Sequence, residues 1–357
     1  MAPSRILVTG GAGFIGSTVI ATLLKKSSTQ AVLNFDALTY AGNLLSLQEE
    51  AKDPRYTFQR ASVQNLEEVQ RALEDFQPDC ILHLAAETHV DRSLNHPQTF
   101  LETNVLGTGI LLQATFAYWE SLPLEKADAF RFLHVSTDEV FGSLGDSGQF
   151  HQDSPYAPTS PYSASKSAAD HLVRSWEKSF GLPCIITHGS NCYGPKQFPE
   201  KLIPLMILQA LNGDSLPVYG DGQQIRDWIY VQDQADAIYQ AACLGKPGGT
   251  YFTGGSQEQT NLLVVETLCR TLEEIGPFVE SGFYKKKIKF VQDRPGHDYR
   301  YSMDCRKTQL DLDWKPHYAF ADGLRETVRW YLNNPAWVKS IQTGEYRQWM
   351  DENYGWR

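Results

Sequence analysis

The chain has 357 residues, 42% of them hydrophobic and 21% charged; this suffices for a sizeable core in one large or two modest domains and excludes a disordered chain. Its 42 acidic and 32 basic side chains leave a net charge of −10, which argues against the basic face of a nucleic-acid-binding surface. Six scattered cysteines (Cys80, Cys184, Cys192, Cys243, Cys269, Cys305) form no C-x-x-C and no Cys/His zinc spacing, so reduced thiols are expected, with no disulfide framework and no metal site.

Met1 to Arg5 run directly into a strand pattern, leaving no room for a signal peptide, and no apolar stretch reaches the length of a membrane span; a soluble, cytoplasmic protein without membrane partners is expected. Apolar runs of strand length follow at Arg5 to Thr9, Ala31 to Phe35, Tyr56 to Gln59, Cys80 to Ala85, Phe130 to Ser136 and Cys184 to Gly189. Helix-period segments alternate with them, at Phe14 to Lys26, Asn65 to Phe76, Pro97 to Tyr118 and Tyr162 to Phe180. That alternation predicts an α/β fold, a Rossmann-type doubly wound parallel sheet with helices on both faces.

After about residue 190 Pro and Gly become frequent, as in Gly194-Pro195, Gly248-Gly249 and Gly254-Gly255. The expected division is a dinucleotide-binding domain over 1–190 carrying the catalytic residues, and a smaller lobe over 191–357 that mainly holds substrate. Lys285-Lys286-Lys287 with Lys289 reads as a solvated loop. Phe320 to Tyr354 is helical by period and carries Trp330, Trp337 and Trp349, with Trp356 just beyond; it is expected to pack on the main body.

Between the first strand and the first helix lies Thr9-Gly10-Gly11-Ala12-Gly13-Phe14-Ile15-Gly16. Glycines there permit a tight turn and let the backbone approach a pyrophosphate at the helix N-terminus. A glycine turn alone can be merely structural. Here Asp36, twenty residues beyond Gly16 at the end of the second strand, supplies the acidic partner for ribose hydroxyls and disfavours a 2′-phosphate, so NAD is the expected cofactor. The G-x-x-G-x-x-G spacing resembles the extended branch of the short-chain dehydrogenase/reductase superfamily.

Tyr162 and Lys166 sit at i and i+4, so on a helix they share one face, where an ammonium can lower the phenol's pKa and make it a usable base. Such a pair also occurs by chance; the glycine loop and Asp36 favour the catalytic reading. One strand earlier stand Thr137, Asp138 and Glu139. Adjacent carboxylates at a strand end often cap a helix or face solvent, but here the segment should end at the switch crevice where the cofactor lies. Transfer of hydrogen alone needs no carboxylate pair, whereas removal of water needs an acid for the leaving hydroxyl and a base for the carbon acid.

Over nearly its full length the chain resembles the dTDP-glucose 4,6-dehydratase family. The resemblance rests on Asp36 to Asn43, His83 to Ser93, Thr137 to Glu139, Phe198 to Pro204, Gln224 to Trp228 and Asp293 to Asp298. It implies that Tyr162 and NAD oxidise C4 of a glucosyl ring while Thr137 holds the C4 oxygen and Lys166 holds the cofactor ribose. Glu139 then removes the C5 proton, Asp138 protonates the departing C6 hydroxyl, and the reduced cofactor completes the 4-keto-6-deoxy sugar. It also implies that Gly10, Gly13, Phe14, Ile15, Gly16, Asp36, Thr39, Ser62, Val63, Leu84, Ala85, Ala86 and Thr103 line the NAD, with Tyr162 and Lys166 at its reactive end. Thr88, Thr137, Asn191, Lys201, Leu202, Pro217, Tyr219, Arg226, Gln257 and His297 match positions that hold the sugar nucleotide. Arg226 suits a diphosphate through two donors, the alternative being an ion pair with Asp227. His297 is either a ligand contact or a packed ring.

Some positions depart from the family pattern. Ser62-Val63 stands where the family sets Asp-Ile or Asp-Leu against the adenine; Phe141 replaces a usual Tyr, Cys192 a usual Asn, and Ser256-Gln257-Glu258 a common His-Asn-Glu. The last leaves dTDP against UDP open. Rivals on the same scaffold are a UDP-sugar 4-epimerase or a UDP-glucuronate decarboxylase, neither of which needs Asp138 and Glu139, and a catalytically dead sensor, which would typically lack Tyr162 or Lys166. The family commonly forms homodimers through the helices expected here at Pro97 to Tyr118 and Tyr162 to Phe180.

Overall fold

The computed structural model describes residues 2–277 and 279–342. Its centre is a seven-stranded sheet of β1 (Arg5–Thr9), β2 (Ala31–Asp36), β3 (Tyr56–Arg60), β4 (Cys80–His83), β5 (Arg131–Thr137), β6 (Cys184–Gly189) and, far along the chain, β10 (Thr250–Thr253). The spatial order is β10-β6-β5-β4-β1-β2-β3, with every pair parallel. The order reverses between β1 and β4, and the crevice at that switch point is where such sheets take ligands.

Burial on both faces explains why the strands read as unbroken apolar runs. Along β1, Ile6 and Val8 enter one core layer, with Val19, Ile20 and Leu23 of the helix Phe14–Leu24 and Ile238 and Ala241 of the helix Val231–Leu244. Leu7, pointing the other way, packs with Val69, Leu111 and Val173 from helices on the opposite face. Both β10 and the helix Val231–Leu244 lie past residue 190, so the second half of the chain supplies the edge strand of the main sheet and a covering helix. The main sheet therefore runs past the change in texture at residue 190.

The smaller lobe contains β7 (Asn191–Tyr193), β9 (Ile225–Tyr230) and β11 (Glu258–Thr260) in one sheet, and β8 (Leu216–Tyr219) paired with β12 (Ile288–Val291) in another. Its own core joins Met206, Leu208, Trp228, Leu268, Leu324 and Trp337. Lys285–Lys287 forms a short 3-10 turn leading into β12, with Lys285 3.0 Å from Glu266.

Two expected helices differ in detail. Pro97 to Tyr118 is not one α-helix: Pro97–Phe100 is followed by a wide π-type stretch, Leu101–Gly107, before Thr108–Glu120 resumes the α pitch. The reason lies in Asn104, which is 1% exposed. Its Oδ1 accepts from the Glu87 N–H at 2.8 Å, and its Nδ2 donates to the Glu87 carbonyl at 3.0 Å and to Ser165 Oγ at 2.9 Å. The wide turn brings one polar side chain inward to hold the cleft wall, a common use of π-bulges. In the C-terminal segment Pro335 starts a separate helix, Pro335–Ile341, after Phe320–Asn333; Trp349, Tyr354 and Trp356 lie outside the described residues. Trp337 Nε1 donates to Ser46 Oγ at 2.9 Å, and Asn43 Nδ2 to Ser340 Oγ at 2.9 Å. The Asn43 N–H in turn donates to the carbonyl of Ala12 in the glycine loop.

Candidate active site

One cavity of about 430 Å³ runs along the switch crevice and under the smaller lobe, within the range of small-molecule sites. At its dinucleotide end, Gly10 has φ +71°, and a Cβ there would stand 2.7 Å from the Ala85 backbone; only glycine allows this approach. A Cβ on Gly16 would come within 2.2 Å of the Gly10 carbonyl. Gly13 begins the helix Phe14–Leu24 without a side-chain cap, which leaves first-turn N–H groups for an anion. Asp36 Oδ2 accepts from the Ala12 N–H at 2.8 Å and Oδ1 from the Leu38 N–H at 2.7 Å. Burial raises its pKa and these two N–H groups oppose the rise.

Across from this loop, Thr9 Oγ1 accepts from the Leu84 and Ala85 N–H groups at 3.2 Å, fixing the Leu84-Ala85-Ala86 wall. Thr39, Ser62, Val63 and Thr103 complete this end. Ser62 Oγ is used locally on the Gln64 N–H at 3.2 Å, and Gln64 Nε2 reaches Thr103 Oγ1 at 2.9 Å. An uncapped helix start, a cradle without room for a Cβ and a carboxylate at the end of β2 together fit NAD.

The hydroxyl and the two carboxyls expected to react stand where β5 ends. Thr137 caps the 3-10 turn Asp138–Phe141: its hydroxyl accepts from the Glu139 N–H at 3.3 Å and donates to Asp138 Oδ1 at 3.2 Å. Asp138 is 2% exposed and its Oδ2 has no hydrogen-bond partner. Burial, then the charge of Glu139, pushes its carboxyl well up, the direction that favours the protonated form. Glu139 is also raised by burial, but Lys201, Arg294 and Arg226 all oppose the rise. Two neighbouring carboxyls with unlike surroundings suit an acid and a base.

Tyr162 and Lys166 lie on the helix Pro161–Phe180, started by a reciprocal Ser160/Ser163 capping box and ended by Gly181 at φ +74°. The expectation that the ammonium lowers the phenol's pKa is not met. Lys166 Nζ donates to the Val135 carbonyl at 2.9 Å and lies 3.4 Å from His134 Nε2. Burial, and then the charge of Glu139, pushes the Tyr162 phenol up instead, opposed by a hydrogen bond from Thr137. Sharing a helix face sets the side in common, but the long lysine stem carries its charge to the β5 backbone.

At the other end, Lys201 Nζ donates to the Thr88 carbonyl at 2.7 Å. Asp91 accepts from Tyr219 Oη at 3.1 Å and Arg294 Nη1 at 3.2 Å. Arg226 is 4% exposed. Its guanidinium donates to the carbonyls of Ile225, Asp298 and Tyr299 and sits 4.3 Å from the Tyr301 ring. No ion pair with Asp227 forms, because successive β9 side chains point to opposite faces and Asp227 accepts from the Gln257 N–H at 2.8 Å. His297 Nδ1 is 2.6 Å from Asp293 Oδ1, and burial with Arg294 and Arg226 nearby lowers its pKa to about 4, so it is neutral. Asn191, with a buried Oδ1 that has no partner, lines the cavity with Leu202 and Pro217.

Gln257 corrects the sequence reading: alone among the expected site residues it is absent from the cavity wall. Its amide Nε2 donates to the Tyr318 carbonyl at 2.9 Å, and its Oε1 accepts from the Phe320 N–H, so it caps the helix Phe320–Asn333. Residues that sequence reasoning missed include Arg294 and Asp91, both inside motifs it had singled out, and a carboxylate group at Glu87 and Glu200. Glu200 accepts from Tyr40 Oη at 2.8 Å and Arg92 Nε at 2.9 Å. Burial, then Glu200, raises Glu87 to about 7. All four lie inside stretches that carried the resemblance, His83 to Ser93, Phe198 to Pro204 and Asp293 to Asp298.

Residues 7–327 match the family model described as GDP-mannose 4,6 dehydratase. A dTDP-glucose 4,6-dehydratase of Neisseria meningitidis serogroup B is 53% identical over 346 residues, 96% of this chain and 97% of that protein. Among solved structures, dTDP-glucose 4,6-dehydratase from Bacillus anthracis in complex with NAD is 41% identical at a TM-score of 0.84, covering 95% of this chain and all of that one. A UDP-glucuronic acid 4-epimerase from Bacillus cereus is 28% identical at a TM-score of 0.79, covering 91% of this chain and 98% of its own.

Proposed function

The chain belongs to the family defined by the GDP-mannose 4,6 dehydratase model and, within it, to the dTDP-glucose 4,6-dehydratases, and we propose that it converts dTDP-glucose to the 4-keto-6-deoxy sugar through Thr137, Asp138, Glu139, Tyr162 and Lys166. The observation that carries this reading is the buried Asp138-Glu139 pair in the same cavity as Tyr162 and Lys166. An epimerase on this scaffold has no need of the pair.

In this reading the Tyr162 phenolate, whose formation burial and Glu139 oppose and the Thr137 hydrogen bond favours, takes the proton of the C4 hydroxyl, and the Thr137 hydroxyl donates to the C4 oxygen as charge develops there. NAD, when bound, supplies the two-electron acceptor for C4 and the donor for C6. A 4-ketone acidifies the C5 proton, which Glu139 removes with its carboxylate supported by Lys201, Arg294 and Arg226. Asp138, whose carboxyl burial and Glu139 push up towards the protonated form, gives a proton to the leaving C6 oxygen.

Gly10, Gly13, Phe14, Ile15, Gly16, Asp36, Thr39, Ser62, Val63, Leu84, Ala85, Ala86 and Thr103 are assigned to the cofactor. Thr88, Asn191, Lys201, Leu202, Pro217, Tyr219, Arg226 and His297, with Arg294 added, are assigned to the sugar nucleotide, mostly from the lobe after residue 190. With its amide spent on the 318–320 backbone, Gln257 gives no reason to exchange dTDP for UDP. The reading includes a cytoplasmic homodimer. Exposed Leu101 and Leu106 and Phe180, at 53%, 58% and 49%, on the helices expected to pair, support the dimer.

Mass spectrometry of dTDP-glucose and, in parallel, UDP-glucose after incubation with protein and NAD tests the proposal. Loss of one water from the dTDP sugar, with no net reduced cofactor, is expected. Unchanged mass of both would overturn it.

A further inference from the structure

Behind the reacting groups lies a buried polar cluster for which the dehydration reading has no use. Tyr162, Lys166 and Asp170 recur at four-residue spacing on the helix Pro161–Phe180, so all three face the sheet. Asp170 is fully buried. Its Oδ2 accepts from Ser136 Oγ at 2.9 Å and Tyr156 Oη at 3.0 Å, and lies 3.0 Å from His188 Nε2. The other oxygen is 3.3 Å from His134 Nε2, and that same nitrogen is 3.4 Å from Lys166 Nζ. A buried ammonium and a buried carboxylate thus meet at one imidazole nitrogen.

A full charge at either position is costly unless the other balances it. We propose that Asp170 is a positioning residue which, acting past His134 Nε2, keeps Lys166 charged on the Val135 carbonyl. The proposal rests on the assignment of Lys166 to the reaction.

The surroundings agree with it. Burial and the Lys166 charge bring His134 down to about 4, so its ring is neutral. Burial brings Lys166 down to about 8, and Asp170 is the group that opposes the fall. The other titratable or charged groups facing the cluster are His83 on β4, His188 on β6, Tyr156 with Arg174 beside it, and Tyr162, with Glu139 and Asp138 acting on the phenol. Of the three carboxyls only Asp170 acts on Lys166.

Asp170→Asn keeps the shape and removes the charge. Without the carboxylate the Lys166 pKa falls, so the protonated fraction is lost from a lower pH upward. A unit charge just past that nitrogen, at an effective dielectric constant of about 20, is worth about one to two pH units. The alkaline limb of the pH profile of kcat should move down by that much, with activity recovered at lower pH. A limb that stays in place under a uniformly lower rate would overturn the proposal, and an inactive parent enzyme would instead overturn the dehydratase reading.

A second measurement needs no activity. Lys166→Met leaves Asp170 without its cation, so adding Asp170→Asn to that variant should raise its thermal midpoint, whereas the same change in the parent lowers it. An equal loss in both backgrounds would mean that the carboxylate serves only Ser136, Tyr156 and His188, and the inference fails.

Discussion

Replacing Glu87 by glutamine should make the protein more stable at pH 8 and leave it almost unchanged near pH 4.5. Glu87 is 7% exposed, and burial followed by the charge of Glu200 raises its pKa from 4.5 to about 7. A group raised on folding contributes stability that is complete below its unfolded pKa and lost as pH climbs through the folded one. Between about pH 4.5 and 7 the folded protein holds a proton that the unfolded chain has released, so stability falls by about 3 kcal/mol across that window. Glutamine cannot ionise and avoids the loss. The backbone bonds from Glu87 to Asn104 involve no side-chain atom of Glu87 and survive the change. For a chain of this length about 3 kcal/mol corresponds to about 4 °C in thermal midpoint. Differential scanning calorimetry of both proteins without added cofactor, at pH 5 and pH 8, measures the gap. A gap that does not widen by pH 8 would refute the reasoning, since it would mean that Glu87 pays no burial cost as a carboxylate.

Glu139→Gln should stop the reaction after C4 oxidation, so that reduced cofactor accumulates on mixing with substrate; ready product formation would remove Glu139 as the base. Tyr162→Phe should abolish that same absorbance signal, and a normal rate would take the phenol out of the mechanism. Gly10→Ala forces a left-handed φ on a side chain, at about 1–2 kcal/mol, and sets its Cβ 2.7 Å from the Ala85 backbone. Calorimetric titration with NAD should show affinity lost by at least about tenfold, and unchanged binding would count against the glycine loop as the cofactor cradle. Arg92→Met strands Glu200, whose side chain is 1% exposed. Urea unfolding at neutral pH should register a loss of about 3–5 kcal/mol, and a loss below about 1 kcal/mol would show the pair to be dispensable.

The parts of the fold that depend on local pattern were legible from sequence. The β1 run, the glycine loop and Asp36 fall within one strand-turn-helix-strand unit, and each reports on its near neighbours. The 3.6 period likewise brought Tyr162 and Lys166 to one helix side. What the pattern could not convey was set by distant partners. β10 joins the sheet beside β6 from 64 positions later, as its Phe252 pairing with His188 illustrates. Asn104 widens a helix because of the backbone at Glu87, and Gln257 is drawn from the cavity by the 318–320 backbone. The charge of Lys166 falls on a carbonyl of β5 and not on the phenol one turn away, since a flexible stem reaches whichever acceptor the sheet presents.

The bond from Trp337 to Ser46 and that from Asn43 to Ser340 impose an order on biosynthesis. The ribosome delivers the glycine loop and Asp36 first, yet the segment behind them receives its brace from a tryptophan 291 positions later. Folding that proceeds from the N-terminus as the chain emerges therefore adds this brace among its final steps. A nascent chain stalled before Trp337 would present the loop at Asn43 and Ser46 held by Leu47 in the core and by Ala12 but without its two bonds to the tail, so a difference in protease sensitivity there would distinguish an unfinished molecule from a finished one.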